Sequence, residues 1–151
     1  MIKKIIQILL CALMMSFALT GTLMAAEKVK PNYEFSELKE VRSVRNSEVS
    51  GWGAWTDQVL LMSGSPGRKY LVILTRPDHD LAFSLNLAVT NSGGQIMAKF
   101  DKVYAMNSAI KVGVPIKKIY ELKGKEQIEL AKKLVEKAEQ DAEEANNKSE
   151  G

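Results

Sequence analysis

Residues 51–74, GWGAWTDQVLLMSGSPGRKYLVIL, decide the fold because they contain both tryptophans and two apolar segments joined by a turn. Pro66 fixes the φ angle required at the second position of a type II turn, and Gly67 supplies the positive φ of the third. The chain therefore reverses here. The flanking residues 59–62 and 70–74 are apolar at consecutive positions, which predicts two strands in the middle of a small sheet or barrel.

The first 26 residues have the layout of a secretory signal peptide. Lys3 and Lys4 form a basic start, residues 5–23 carry no charge, and Ala25-Ala26 precede a charged segment. We predict cleavage near Ala26 and a periplasmic or otherwise exported protein. The alternative is an uncleaved inner-membrane anchor, because residues 5–26 would form a helix of roughly 33 Å, long enough to span a bilayer.

Cysteine and charge content narrow the classes of protein that fit this sequence. The single cysteine, Cys11, lies in the predicted signal peptide, so the mature chain has no disulfide and depends on burial for its stability. Without Lys3 and Lys4, 19 basic residues remain against 18 acidic ones, a net charge of +1. Clustered lysine and arginine would indicate a nucleic-acid partner. Because the basic and acidic residues of the mature chain nearly balance, we predict no nucleic-acid partner.

After the signal peptide we distinguish a polar segment (residues 27–48), an antiparallel β domain (49–122) and a C-terminal helix with a frayed tail (123–151). Residues 36–42 of the polar segment are compatible with a short helix, with Ser36 as its cap, or with an edge strand. In the last segment apolar residues recur at helical spacing from Gly124 to about Ala145, which predicts an amphipathic helix. The second half of its stripe holds only alanines, and acidic residues near its C-terminus oppose the helix dipole, so we expect that half to fray.

Trp52 and Trp55 are three positions apart, which places them on opposite faces of an extended chain. Gly51 and Gly53 allow a bend that turns both rings inward. One interpretation is that the rings fill the ends of the barrel or sandwich. The other is a stacking platform for a ligand such as a sugar or a base.

Asp78, His79 and Asp80 place the only histidine of the chain between two carboxylates. This arrangement suggests a metal or acid–base site, and the simpler alternative is a solvent-exposed turn. Adjacent turn residues rarely converge on one ion, and no second histidine is present to complete a coordination sphere. We therefore predict no metal, no cofactor and no catalytic residues.

Alternation predicts the remaining strands. From Phe83 to Thr90 apolar and polar residues alternate, which is typical of a half-buried strand, and residues 91–94 (NSGG) suit a tight hairpin turn. The returning strand places Ile96, Ala98 and Phe100 on one face, and its loss of alternation predicts a bulge or bend near Asp101.

A further strand alternates from Ile110 to Ile116, and Pro115 predicts that this strand lies at an edge or ends there. Lys99, Lys111 and Lys117 fall on the predicted outer face and form the nearest approach to a basic patch. Solvation of an exposed sheet face explains them without a partner.

Several short motifs resemble a family of small exported bacterial proteins and lipoproteins of unknown function. They include Trp52, residues 67–72 (GRKYLV), residues 99–101 (KFD) and residues 114–116 (VPI), and the resemblance covers residues 49–122. In that family, cysteines stand at the positions of Asp78 and Val114. If those cysteines pair in the relatives, the resemblance implies that this chain has lost a disulfide that would contribute about 3 to 4 kcal/mol. It also implies export and a compact domain, and it assigns no active residues.

The sequence thus predicts a mainly β (α+β) protein: a curled antiparallel sheet, sandwich-like or barrel-like, of five to six strands with a C-terminal amphipathic helix. Our first functional hypothesis is a noncatalytic envelope module that binds a protein or an envelope polymer through a sheet edge or the helix. The second is a carrier or sensor of a small apolar ligand held by Trp52, Trp55, Tyr70 and Phe100. The third is a hydrolase that uses the loop from Asp78 to Asp80.

Overall fold

A computed structural model of the protein describes residues 28–84, 86–107 and 112–149. The predicted signal peptide or anchor, and the predicted roles of Leu85, Ile110 and Lys111, lie outside the described residues. Two short 3-10 helices span Asn46–Glu48 and His79–Phe83. The regular elements are β1 (Lys39–Val41), β2 (Ser43–Arg45), β3 (Val49–Ala54), β4 (Val59–Gly64), β5 (Arg68–Leu74), β6 (Leu87–Val89), β7 (Gln95–Met97), β8 (Lys102–Ala105), β9 (Val114–Leu122) and α1 (Gly124–Ser149).

The main sheet is antiparallel, curls into a nearly closed barrel, and has the strand order β3-β4-β5-β9-β8-β6. The predicted α+β fold of a curled sheet followed by one helix is confirmed. Strand β9 is paired on both sides: β5 lies along one edge, while β8 pairs with its first residues and β1 with Ile119 to Glu121. The prediction that the strand lies at an edge or ends at Pro115 is wrong: the proline is the second residue of β9, which is paired on both sides and continues to Leu122.

The hairpin of β4 and β5 forms where residues 51–74 predict it. Leu60 pairs with Val72, and Met62 pairs with Tyr70. Gly67 has the expected positive φ of 69°, and the Ser65–Pro66 peptide is cis. Residues 70–74 are all buried, as expected of a strand covered on both faces.

The two faces of this hairpin serve two separate cores. The concave face of the curled sheet encloses an interior cluster of large apolar side chains, among them Leu60, Val72, Leu74, Ile116 and Ile119. The small ribbon formed by β2 and β7 adds to this cluster through Val44 and Ile96. The convex face carries a second cluster that includes Leu71, Ile73 and Tyr120 and is covered by α1.

The polar segment contributes more to the second cluster than its composition predicts. Tyr33, Phe35 and Leu38 are buried between the sheet and α1, in a segment that we call the N-terminal strap (residues 28–38). Phe35 N–H donates to the Tyr120 hydroxyl at 3.2 Å. Of the two conformations expected for residues 36–42, the structure has the edge strand, β1.

Helix α1 is longer than predicted and remains helical to Ser149. Ala131 and Val135 pack on the sheet, as their stripe predicts. Ala142 is also buried, close to strap residues such as Val29. The small alanines of this half of the helix lie beside the strap, which explains why they are covered and do not fray.

The predictions for residues 83–100 need three corrections. Phe83 belongs to a 3-10 helix and its exposed fraction is 81%, so the strand begins only at Leu87. The NSGG turn forms, but β7 pairs with β2 and β6 pairs with β8, because the chain diverges after the turn. Phe100 is 74% exposed and does not face the core.

The predicted break near Asp101 is confirmed, and its cause is a buried carboxylate. Asp101 is 2% exposed and lies between the end of β7 and the start of β8. Its carboxylate accepts from Met97 N–H at 2.7 Å and from the Thr90 hydroxyl at 2.8 Å. These hydrogen bonds fold residues 98–101 into a turn, so the strand, with side chains on alternate faces, ends at Met97.

Candidate functional site

The barrel stays open along one line, between the edge strands β3 and β6, which we call the seam. A cleft of about 260 Å³ lies in the seam. Most of the residues around it are apolar and come from both edge strands, from β4 and from β7. The backbone of Gly51 and the residues Asn46, Val49, Trp52, Met62, Leu87, Val89 and Ile96 line it.

The backbone of β3 offers hydrogen-bonding groups to the seam. Trp55 N–H donates to the Val59 carbonyl at 2.9 Å, so Trp55 and Val59 form a hydrogen-bonded pair. In an antiparallel ladder, hydrogen-bonded and non-hydrogen-bonded pairs alternate along the strands. Gly53 is therefore hydrogen-bonded to β4, whereas the N–H and C=O groups of Trp52 and Ala54 point away from β4. Within the described part of the chain, no hydrogen bond reaches these outward groups.

Strand β6 has the same arrangement on the other side of the seam. Thr90 N–H donates to Lys102, and Met106 N–H donates to Asn86. By alternation, the backbone groups of Leu87 and Val89 point away from β8. Both walls of the cleft therefore combine apolar side chains with outward backbone donors and acceptors.

A β-bulge in β3 sets which side chains enter the cleft. The register with β4 shifts between Val49 and Gly51, so Val49 and Trp52 both pack against the interior cluster. Gly51 and Gly53 then lie on the convex face, where a Cβ atom on either would meet nothing within 4 Å. The next residue on that face is Trp55, which packs against the second cluster.

The four aromatic residues predicted to hold a ligand are not brought together. Trp52 lines the cleft, and Tyr70 is buried in the interior cluster. Trp55 lies on the opposite face of the sheet, as its spacing from Trp52 predicts for an extended chain. Phe100 projects into solvent beside Arg42 and Lys99. A site composed of all four is therefore not present, and only Trp52 belongs to the seam.

The loop from Asp78 to Asp80 opens the second 3-10 helix. The Asp78 carboxylate accepts from Asp80 N–H at 3.1 Å and caps this helix. The side chain of His79 is 88% exposed, and its Nδ1 lies 3.1 Å from the Asp57 carboxylate. Among residues 28–84, 86–107 and 112–149, no group of three metal-ligating side chains occurs.

The positions implied to have held a disulfide are joined only indirectly. Thr75 N–H donates to the Pro115 carbonyl at 3.0 Å, which attaches the loop after β5 to the start of β9. Asp78 N–H instead donates to Asp57, and the Val114 side chain is buried in the interior cluster. The ancestral pairing of these two positions stays a prediction.

The predicted basic patch is partly neutralised by the strap. Lys117 and Lys118 both form ion pairs with Glu34, and Lys118 also pairs with Glu40 at 2.9 Å. The hydrogen bond from Lys118, and then that from Lys117, lowers the pKa of Glu34, while Glu34 raises the pKa of Lys118. Lys99 lies apart in the turn before Asp101, with a positive φ of 70°.

Sequence reasoning located Trp52 but not the seam, because strand order is a property of the whole sheet. One signal was available in β3. Residues 49–54 contain neither charge nor proline, although lysine and proline commonly protect exposed sheet edges.

The fold and the seam together define a class: a curled antiparallel β domain that is open along one line and is covered on its convex face by a strap and a helix. The chain belongs to a family of unknown function, DUF6491, which matches residues 3–144. No curated protein and no solved structure shows significant similarity to it. None of the helices in the described ranges has the length and apolar character needed to cross a membrane.

Proposed function

We propose that this protein is a noncatalytic binding module of the bacterial cell envelope that takes up an extended segment of a partner protein at the seam. The observation that carries the proposal is the edge of β3, where Trp52 and Ala54 present backbone donors and acceptors beside an apolar cleft. An added strand satisfies the backbone groups and buries apolar side chains at the same time.

The proposed location is the periplasm, and its support is the N-terminal sequence. A basic start, an uncharged stretch and Ala25-Ala26 are the elements of an export signal. The N-terminal residue of the protein recovered from producing cells tests this. A terminus near Glu27 supports export with cleavage, whereas Met1 in a membrane fraction supports the anchored alternative.

The binding proposal is tested with a variant that blocks only the edge. Ala54→Pro removes the outward N–H of Ala54 without removing a hydrogen bond to β4, since Ala54 is not bonded to that strand. Ala54→Gly is the control, because it changes the same residue but keeps the outward N–H. Each variant is used as bait in its own envelope extract after its unfolding transition has been compared with that of the wild type.

We expect a partner retained by the wild-type protein and by Ala54→Gly to be lost with Ala54→Pro. Equal retention by all three proteins would contradict binding at the edge of β3.

A second candidate function, a carrier of a small apolar ligand, is favoured by the cleft itself. Trp52 and five other apolar side chains surround a volume of about 260 Å³, close to the lower end of the size range of small-molecule sites. Such a ligand needs no backbone donor, so Ala54→Pro should leave its binding unchanged. Binding of an anilinonaphthalene dye, measured by the fluorescence of Trp52 in a Trp55→Phe background, separates the two candidates.

A further inference from the structure

We infer that the segment accepted at the seam is an uncharged strand in which apolar side chains facing the cleft alternate with aromatic side chains facing outward. The inference rests on the proposed function and specifies the chemistry of its partner. Three features of the seam carry it: the direction of the added side chains, the bare outer surface of β3, and the absence of charge on both edge strands.

The direction of side chains follows from the ladder. A strand hydrogen-bonded to Trp52 and Ala54 continues the pleat of β3, so its residues alternate between the concave and convex faces. Residues level with Trp52 point into the cleft, beside Leu87, Val89 and Ile96. Because these neighbours are aliphatic, inward positions favour apolar side chains.

The convex face of β3 has a different requirement. Gly51 and Gly53 leave the backbone uncovered, and the space above both is open. An aromatic ring on a neighbouring strand packs over such glycines and removes their backbone from water. Trp55 and Leu61 border this strip on the same face and offer the ring further apolar contact.

The charge of the seam fits a neutral segment. Residues 49–54 and 87–89 carry no ionisable side chain. A charge at a position that faces the cleft would lose its hydration between these edges without gaining a partner. Lysine or glutamate in the accepted segment is therefore confined to its ends.

Three synthetic peptides test the inference, each with six central residues flanked by lysines for solubility. The first alternates valine and tyrosine, the second alternates valine and threonine, and the third contains the residues of the first with the alternation destroyed. None contains tryptophan, so Trp52 of a Trp55→Phe protein reports binding. We expect the valine–tyrosine peptide to bind about tenfold more tightly than either of the others.

A double variant, Gly51→Thr with Gly53→Thr, provides the second arm. Both side chains fit the open strip, and they cover the backbone that the rings would cover. We expect the preference for tyrosine over threonine to fall to about twofold or less while alternating peptides still bind.

The outcomes separate this inference from the proposed function. Equal binding of the two alternating peptides to the wild type, with loss of both on Ala54→Pro, overturns the aromatic preference and leaves the strand-binding function intact. Binding of neither peptide to a folded protein overturns both.

Discussion

Glycines in β4 and β3 have opposite surroundings, although both lie in strands of the same sheet. A Cβ atom on Gly64 would lie 2.9 Å from Cε2 of Tyr70, a ring buried in the interior cluster. A Cβ atom on Gly53 would meet nothing within 4 Å. The first glycine is required for packing, and the second leaves the outer surface of the edge strand bare.

We predict that Gly64→Ala lowers the free energy of unfolding by about 1 to 3 kcal/mol, because the Tyr70 ring must shift in a filled core. Gly53→Ala is the matched control and should be neutral or raise stability by up to about 1 kcal/mol, since alanine restricts the unfolded chain more than glycine. Urea unfolding of the two variants measures the difference. Equal destabilisation by both substitutions would contradict this account of Gly64.

Asp101 shows why one residue of the fold was predictable and its role was not. Alternation is lost at residues 101–104 of the sequence, so a break near Asp101 follows from pattern alone. That its carboxylate is buried and accepts from Met97 and Thr90 depends on a loop closing from another part of the sheet. A pattern of polarity treats such an aspartate as a surface residue.

At the scale of elements, the strap and α1 pack together, although the polar composition of residues 27–48 does not predict this packing. Tyr33 donates its hydroxyl hydrogen to the Glu139 carboxylate at 2.6 Å. Burial, and then the hydrogen bond to Glu139, raises the pKa of the Tyr33 phenol above its ordinary value near 10.

This shift predicts a loss of stability at alkaline pH. The folded state holds the phenol proton more tightly than the unfolded state, so the contribution of Tyr33 is complete below about pH 10 and declines as the pH rises above it. Tyr33→Phe should lower the free energy of unfolding by about 1 kcal/mol at pH 7 and show a smaller further loss above pH 10. Urea unfolding at pH 7, 9, 10.5 and 11 measures both proteins, and parallel losses would contradict the assignment.

The strands divide into those that sequence periodicity predicts and those that it does not. The hairpin of β4 and β5 is recognisable because both strands are apolar throughout and their turn contains proline and glycine. The predicted pairing of β6 with β7 was wrong, because a tight turn at residues 91–94 does not require that its flanking strands pair with each other. Phe83 was assigned to a strand by alternation, whereas the Asp78 cap starts a 3-10 helix that extends to it.

At the scale of the whole molecule, the seam follows from strand order. Six of the seven strands of the main sheet follow one another around the barrel, β1 is attached to β9 outside this path, and the two ends of the path are β3 and β6. A single sequence specifies each strand but not its place in this order, so Trp52 was predicted as a candidate residue without its neighbours Leu87 and Val89. The interior cluster fills the rest of the barrel, which confines the cleft to the seam.

The two ends of the described chain are also joined. The Asn146 side chain accepts from Val29 N–H at 2.7 Å and donates to the Val29 carbonyl at 3.0 Å, across 117 positions of sequence. We predict that Asn146→Ala accelerates amide exchange at residues 29–33 about tenfold, with little effect on the exchange of β5. The exposed neighbour Asn147 is the control, and Asn147→Ala should change neither region. Unchanged exchange at residues 29–33 in Asn146→Ala would contradict a role for Asn146 in holding the strap.

The Val29–Asn146 pairing also determines when folding can be completed. Residue 29 is synthesised well before residue 146, so the first residues of the strap cannot take their final position until the end of α1 has been made. Under the export that we propose, this order would postpone the final closure of the strap on α1 until the last turns of the helix have emerged on the far side of the membrane.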